Sequence, residues 1–137
     1  EGGEPVRLTR EPWRWPAVSP DGKSVACMLR EGDTNRWNLS LVSFDDGRVI
    51  KQFPVEIRPG NPGLRWTPDG RFVTYVVTRD DVSNVWGQPV EGGDPQQLTA
   101  WTVDRIYRFD WFNDGTLVCE RGTTVTDVVL IRDAGPE

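Results

Sequence analysis

Short apolar runs separated by turn residues make up the pattern of this chain. In its middle, Trp66 ends one run, Pro68-Asp69-Gly70 interrupts the pattern, and the apolar stretch 72–77 follows. Each interrupting residue favours a turn, because proline presets φ, the Asp side chain bonds back to the backbone, and glycine accepts a positive φ. The pattern therefore predicts two antiparallel strands joined by a tight turn.

This unit occurs three times along the chain. Its Asp-Gly pairs begin at Asp21, Asp69 and Asp114, which are 48 and 45 residues apart. The third copy has Asn113 where the others have proline, which weakens that turn signal without removing it. A period of this length indicates a repeat architecture, and four-stranded units at such spacing are typical of β-propeller blades.

The predicted fold is all-β and consists of β-propeller blades, because no segment shows sustained 3.6-residue periodicity. We predict three four-stranded antiparallel meanders, which amount to half of a six-bladed ring. Their bounds are a blade at 13–54, a blade at 60–100, and a blade at 105–135 that lacks its outer strand. Residues 1–9 closely copy the strand at 91–99, so they are predicted to be a separate strand that closes a blade.

Three blades cannot close a ring by themselves. Each blade presents apolar faces to its neighbours, so a half ring would expose two faces and an unpaired strand edge. We predict a homodimer in which the last blade of each copy takes its outer strand from the other copy. The residues of this closure strand are Val6, Arg7, Leu8 and Thr9.

The alternative to a homodimer is a longer parent chain that carries the remaining blades. The chain opens at Glu1, with neither an initiator methionine nor a signal peptide. It is therefore expected to be a segment of a longer protein.

Composition and charge narrow the possible partners. The net charge is -5, with 16 Lys and Arg against 21 Asp and Glu. Nucleic-acid binding needs clustered basic residues, and here they are scattered, so no nucleic-acid partner is expected. No apolar run approaches the ~18 residues that cross a bilayer, so no membrane partner is expected either.

No pattern in the sequence predicts catalysis, a metal or a cofactor. The chain contains no histidine, which removes a Ser-His-Asp triad and the commonest zinc ligand. The acidic pairs Asp45-Asp46 and Asp80-Asp81 lack the alternating oxygen ligands of a calcium loop and are interpreted as solvated turns. We therefore predict that the chain is not an enzyme.

The two cysteines hold equivalent places in the repeats. Cys27 and Cys119 fall in the strand that follows a turn, where the middle repeat has Tyr75. They are interpreted as buried core residues, and a disulfide between them is the alternative.

Four of the seven tryptophans are predicted to be structural. Trp66 and Trp111 end equivalent first strands, where packing between blades is expected. Trp37 and Trp86 lie in third strands and are also interpreted as core residues.

The remaining tryptophans are predicted to lie in connections from a fourth strand to the next first strand. In a propeller, these connections share one face with the loops between second and third strands, here 31–36, 79–84 and 122–126. Aromatic and arginine side chains are common anchors of binding interfaces. The predicted ligand-binding or partner-binding residues of this face are Trp13, Arg14, Trp15, Arg58, Trp101 and Arg105. The alternative is that the tryptophans only fill gaps between blades.

Two turns and one longer segment carry a resemblance to a known family. The Ser-Pro-Asp-Gly turn at 19–22, the Thr-Pro-Asp-Gly turn at 67–70 and the Glu-Gly-Gly-Asp-Pro-Gln-Gln-Leu-Thr segment at 91–99 resemble the repeats of TolB-type, WD40-like propellers. The stretch 109–133 is similar to the last blade of propellers at the C-terminus of bacterial multidomain proteins, including eukaryotic-like serine/threonine kinases and transcriptional regulators.

The resemblance covers essentially the whole chain. It implies a non-catalytic scaffold that binds a protein, a peptide or a small ligand. One alternative is a sensor or gating accessory domain of a serine/threonine kinase or a prolyl-oligopeptidase-type peptidase. Another is an engineered or structural half-propeller that assembles with itself.

Overall fold

The computed structural model describes residues 7–8, 12–55, 57 and 60–124. In these ranges all regular structure is β-strand, and the strands form three antiparallel sheets. Among the described residues, no helix has the length and apolar character needed to span a membrane.

The first sheet is a four-stranded meander. It contains β1 (Trp13–Val18), β2 (Ser24–Arg30), β3 (Trp37–Ser43) and β4 (Val49–Phe53), in that spatial order. Every neighbouring pair is antiparallel. The four-stranded antiparallel meander predicted for this part of the chain is confirmed.

The second sheet repeats the same order. It contains β5 (Arg65–Trp66), β6 (Phe72–Arg79), β7 (Val82–Pro89) and β8 (Gln96–Gln97). The inner and outer strands are short, whereas β6 and β7 pair over their full length from Phe72 opposite Pro89 to Arg79 opposite Val82.

The third sheet has two described strands, β9 (Arg105–Trp111) and β10 (Leu117–Gly122). Residues 125–135 of the blade predicted at 105–135 lie outside the described residues. Val6 and Thr9 of the predicted closure strand also lie outside them. Arg7 and Leu8 are described and belong to no strand, and the Leu8 backbone lies directly against Gly47 in the β3–β4 turn.

The repeated turns are built from one arrangement of side chains. In the second blade, the Thr67 hydroxyl donates to the Asp69 carboxylate at 2.6 Å, and the same carboxylate accepts the Arg71 backbone N–H at 3.0 Å. Ser19 and Asp21 form the equivalent bonds in the first blade. These hydrogen bonds lower the pKa of Asp69, and that of the Thr67 hydroxyl has the larger effect.

The third turn lacks the hydroxyl. Phe112 stands in its place, and the Asp114 carboxylate accepts the backbone N–H of Thr116 at 2.9 Å. The pKa of Asp114 is lowered mainly by that backbone hydrogen bond. The degraded third copy of the motif therefore still folds as a turn.

A tryptophan of the second blade and one of the third blade each hydrogen-bond to the preceding blade. The indole N–H of Trp66 donates to the Ala17 carbonyl at 2.9 Å, and that of Trp111 donates to the Thr74 hydroxyl at 3.0 Å. The predicted role of these two tryptophans in packing between blades is confirmed. Trp37 and Trp86 lie in β3 and β7 and pack against the main core, as predicted.

The main core lies between the first two sheets. Met28 and Leu39 come from the first sheet, Val73 and Tyr75 from the second, and all are almost fully buried. A smaller core between the second and third sheets consists of Val76, Val85, Ile106 and Phe109.

Both cysteines are free thiols. Cys27 is completely buried, and Cys119 is half-buried against the smaller core. The interpretation as core residues is confirmed, and the alternative of a disulfide is wrong.

Candidate functional site

One end of the sheets carries the features of a binding face, which we call the loop face. It comprises the first residues of β1, the described residues of the β4–β5 connection (54–55, 57 and 60–64), the β6–β7 turn and the β8–β9 connection at 98–104. Antiparallel meanders bring these segments to the same end, because second strands finish where first strands begin.

The β6–β7 turn is tighter than the sequence indicates. The loop predicted at 79–84 is only Asp80 and Asp81, since β6 runs to Arg79 and β7 begins at Val82. Both aspartates have positive φ, 49° and 64°. Two successive positive φ values match the twist of a hairpin, and Asp tolerates this conformation better than most residues.

A cavity of about 460 Å³ opens on the loop face between the second and third blades. Its apolar walls are Ile57, Val76, Val77 and Ile106. Its polar side chains are Asn61, Thr78, Arg79 and Arg105. The end of β6 and the start of β9 form opposite sides, so the cavity exists only where two blades meet.

Two of the polar side chains maintain the cavity walls. The Asn61 amide donates to the Val76 carbonyl at 2.5 Å, and its oxygen accepts the Gly63 backbone N–H at 3.2 Å. The hydroxyls of Thr78 and Ser83 are 2.8 Å apart. The Asn61 hydrogen bond holds the β4–β5 connection against β6, and the contact between Thr78 and Ser83 stabilises the β6–β7 hairpin.

The two arginines have different surroundings. Arg105 forms an ion pair with Asp81, and both side chains are at least half exposed. The Arg79 guanidinium lies 5.8 Å from the centroid of the Trp86 ring and makes no ion pair with any described residue. Two arginines with different surroundings therefore line the cavity, within a chain of net charge -5.

Unusual backbone conformations also gather at the loop face. The described non-glycine residues with positive φ are Trp15, Asp80, Asp81 and Asp104. The Asp104 carbonyl accepts the Ser83 N–H at 2.9 Å, which joins the β6–β7 turn to the start of β9. Such conformations persist only where the surrounding structure fixes them, and they are frequent at functional sites.

The expected location of three predicted site residues is wrong. Trp13, Arg14 and Trp15 belong to β1 and not to a connection. Trp13 and Arg14 pair with Leu29 and Met28 at the end of β2, and Trp15 lies in the bulge that follows. Their side chains are engaged locally. Trp13 packs against the cluster that contains Cys27, Trp15 packs against the main core, and the Arg14 guanidinium lies 4.2 Å from the Trp37 ring centroid.

The other predicted site residues are distributed as follows. Trp101 lies in the β8–β9 connection, as predicted, with its ring 4.0 Å from the Arg121 guanidinium. The Asn84 side-chain amide donates to the Trp101 carbonyl, and its oxygen accepts the Trp101 backbone N–H. Arg105 opens β9 and lines the cavity, and Arg58 lies outside the described residues. The binding role of the set stays a prediction.

Sequence reasoning did not select Arg79, Asn61 or Asp81. Arg79 ends an apolar strand, and nothing local distinguishes it from a solvated arginine. Asn61 stands in a connection rich in proline and glycine, and Asp81 in a turn interpreted only as solvated. Their meeting depends on the packing of one blade on the next.

The pKa values of the two thiols determine whether either can react as a thiolate at neutral pH. Burial raises the pKa of Cys27 to about 12 and raises the pKa of Cys119 above its usual value. At neutral pH both are protonated, and the thiolate is the reactive form. Among the described residues, no group of three His, Cys, Asp or Glu side chains is arranged to hold a metal ion.

Comparison of the sequence with curated proteins finds partial relatives. The chain is 30% identical over 113 residues to an uncharacterised protein of Agrobacterium fabrum, a match that covers 81% of this chain and 35% of that protein. It is 33% identical over 99 residues to tricorn protease homologue 1 of Streptomyces coelicolor, which covers 72% of this chain and 8% of the homologue. The chain thus spans about a third or less of these relatives. No family model matches it.

Comparison with solved structures shows the fold. The chain superimposes on a TolB-like protein from Agrobacterium tumefaciens with a TM-score of 0.66 at 22% identity, covering 88% of this chain and 43% of that one. The match to Kuenenia stuttgartiensis hydrazine synthase has a TM-score of 0.54 at 19% identity, covering 76% and 35%. The fold is an all-β, TolB-like β-propeller, as the sequence predicts.

Proposed function

We propose that this chain is a non-catalytic portion of a β-propeller that binds a protein, a peptide or a small ligand at its loop face. The observation that supports this proposal is the cavity between the second and third blades. Its lining includes the apolar residues Ile57, Val76 and Ile106 and the basic residues Arg79 and Arg105. Concave sites with apolar walls and a few convergent polar groups are the usual form of ligand sites.

The chemistry of the chain favours binding over catalysis. It has no histidine to serve as a general base, and both thiols are protonated at neutral pH. The cavity arginines are permanently charged, so they suit recognition better than proton transfer. No enzymatic activity is proposed for this chain.

A selection experiment tests the proposed face. Short peptides are selected by phage display against the intact chain, and their affinities are measured again with Arg79→Glu and with Arg105→Glu. We expect most selected peptides to lose binding to both variants. Arg71→Glu is the matched control, because Arg71 precedes the opposite end of β6. Peptides that tolerate the cavity variants and lose binding to the control would refute the loop face as the binding site.

A second candidate is an accessory domain of a larger protease. The observation that favours it is the 33% identity to tricorn protease homologue 1, of which the matched part is only 8%. The parent gene discriminates between the two functions. A peptidase domain encoded in the same reading frame would support the accessory role, and a frame without a catalytic domain would contradict it.

We further propose that the ring is completed by a second copy or by other blades of a parent chain. Tyr107 and Val118 of the third blade are 40% and 45% exposed, as expected for a face that awaits a neighbour. Leu8 lies beside the outer hairpin of the first blade, where a strand shared with a neighbouring blade would begin.

Light scattering coupled to size exclusion tests the homodimer. A mass of twice 15.5 kDa at micromolar concentration would support a two-chain ring. A monomer that stays soluble and folded at millimolar concentration would contradict self-closure and favour a parent chain.

A further inference from the structure

A buried threonine hydroxyl joins the second blade to the third. The Trp111 indole N–H donates to the Thr74 hydroxyl at 3.0 Å, and the same hydroxyl donates to the Arg65 backbone carbonyl at 2.9 Å. Thr74 is completely buried. The hydroxyl therefore lies between the tryptophan of the third blade and β5, the first strand of the second blade.

The equivalent contact at the first interface has no bridging group. Ala17 pairs with Ala26 across β1 and β2. Arg65 pairs with Thr74 in the same way across β5 and β6, so Ala26 holds the place of Thr74. The Trp66 indole N–H donates directly to the Ala17 carbonyl at 2.9 Å. Alanine offers no side-chain acceptor, and this tryptophan reaches the backbone itself.

The bridged interface has open space on both sides of the bridge. Phe72, Thr74 and Val76 are alternate residues of β6, so they share the face of the strand that Trp111 contacts. Val76 lines the loop-face cavity described above. Phe72 and Trp111 line a second cavity, of about 630 Å³, towards the opposite end of β6. The Thr74 hydroxyl thus lies on the strand face between two cavities.

The turns at this opposite end also differ between the two interfaces. A Cβ atom placed on Gly70 in the second turn would lie 3.9 Å from the Pro20 side chain of the first turn. A Cβ atom placed on Gly115, the equivalent glycine of the third turn, would meet no atom of the described chain within 4 Å. The second turn therefore lies close to the first, and the third turn has no such neighbour.

We propose that the Thr74 side chain is a spacer, which holds the third blade away from the second and keeps both cavities open. Its hydroxyl accepts the Trp111 indole N–H before the indole can reach the Arg65 carbonyl. Without the hydroxyl, the indole and the carbonyl would both lack a partner, which is unfavourable for buried groups. Closer approach of the blades would pair them directly, as Trp66 pairs with Ala17.

This inference rests on the binding role proposed above and makes Thr74 a positioning residue for the loop-face cavity. Thr74 is not itself part of the lining of either cavity. Its effect on a ligand would therefore pass through the separation of the blades and not through a direct contact.

Hydrogen exchange of the Trp111 indole N–H, followed by NMR on the intact chain, tests the spacer. In Thr74→Ala we expect the blades to approach and the indole to bond to the Arg65 carbonyl, so that exchange stays within about threefold of the original rate. In Thr74→Val the branched shape keeps the separation but offers no acceptor, so exchange should be at least about tenfold faster. Thr74→Ser keeps the hydroxyl and should leave the rate unchanged.

The comparison of Thr74→Ala with Thr74→Val decides the result. Equal acceleration in both would overturn the proposal, because the hydroxyl would then act only as a hydrogen-bonding partner. Ser40→Ala is the matched control, since it removes an equally buried hydroxyl from β3 of the first blade and should not change the exchange of the Trp111 indole.

The affinity of a peptide selected by phage display at the loop face measures the effect on the site. Thr74→Ala should bind it at least about tenfold more weakly, because the cavity narrows. Thr74→Val and Thr74→Ser should bind it within about threefold of the original affinity. These two variants also test the spacer if Thr74→Ala does not fold, because loss of binding by either folded variant would contradict it.

Failure of the spacer is separable from failure of the proposed function. If the selection yields no peptide that binds the loop face, the binding role fails, and indole exchange still decides the role of Thr74. If the peptide binds Thr74→Ala as tightly as the original chain, the spacer is overturned and the binding role stands.

Discussion

Each of the two interfaces between blades contains one tryptophan that hydrogen-bonds to the preceding blade, which we call the anchor. The interfaces differ in the side chains that pack around this tryptophan. Trp66 and Trp111 occupy equivalent places and donate indole N–H bonds of nearly equal length to the preceding blade. Between the first and second blades, the β4–β5 connection adds the buried side chains of Val55, Ile57 and Leu64 to the core.

The β8–β9 connection does not fill the second interface in this way. It contributes the partly buried Trp101, which packs against the smaller core and beneath the Arg121 guanidinium, whereas its Val103 is 60% exposed. The smaller core leaves room for the loop-face cavity, and charged pairs such as Arg65 with Asp110 span the boundary. The repeated sequence thus places an equivalent tryptophan at both interfaces. The connection between blades differs, and its side chains determine whether the space beside the tryptophan is filled or remains a cavity.

Core truncation should show the largest difference between the interfaces. Leu39→Ala removes a fully buried side chain from the main core and is expected to lower the free energy of unfolding by about 2 to 5 kcal/mol. Leu117→Ala, beside the smaller core, should lower it by about 1 kcal/mol because that side chain is only half-buried. Urea denaturation followed by tryptophan fluorescence measures both. Equal losses would contradict the contrast between the two cores.

Replacing either anchor should have a smaller and similar effect. Trp66→Phe and Trp111→Phe each remove one indole donor, and we expect losses of about 1 to 2 kcal/mol in the free energy of unfolding. The same urea experiment applies. A much larger loss at one site would show that the anchors are not equivalent.

Lowering the pH should reduce the stability contributed by the turns of the blades to different extents. The pKa of Asp69 in the folded chain is lowered, first by the Thr67 hydroxyl, so its stabilising contribution is complete above the unfolded pKa near ~4 and is lost as pH falls through the folded pKa. In the third turn the Thr116 side chain already bonds to Asp114, and Phe112→Thr adds a second hydroxyl at the place that Thr67 holds in the second turn.

We therefore expect Phe112→Thr to widen the difference in melting temperature between pH 7 and pH 3, and Thr67→Ala to narrow it. Calorimetry at the two pH values measures both differences. A Phe112→Thr variant with an unaltered pH dependence would show that the hydroxyl does not act through the aspartate.

The ion pair across the second interface should contribute least. Arg65 and Asp110 approach to 3.6 Å, and their side chains are 39% and 73% exposed. Asp110→Asn should lower the free energy of unfolding by about 0.2 to 1 kcal/mol at low salt and by less in 1 M salt. A loss that does not depend on salt would assign the effect to something other than charge.

The strands could be predicted because their signals are local. The turns at Asp21 and Asp69 contain their own hydrogen-bonding groups, so the sequence places them without knowledge of the packing. The start of the first strand has no such local signal. β1 begins at Trp13 because Trp13 pairs with Leu29, and a pairing across the sheet has no local signature.

The candidate site was harder to predict for the same reason. Arg105 was selected by its position in a connection, and it does line the cavity. Arg79 and Asp81 lie on the β6–β7 hairpin, and only the docking of the third blade brings Arg105 to Asp81. Arg14 and Trp101 lie against Trp37 and Arg121, and their binding role stays a prediction.

The sequence by itself determined the repeat, the turns and the all-β meander, because each depends on residues a few positions apart. The tertiary structure decided which gap between blades is filled. Ile57 and Ile106 are 49 positions apart in the chain, yet they form walls of one cavity. Packing between blades joins segments that share no hydrogen-bond ladder, so the shape and charge of the cavity arise only when the sheets meet.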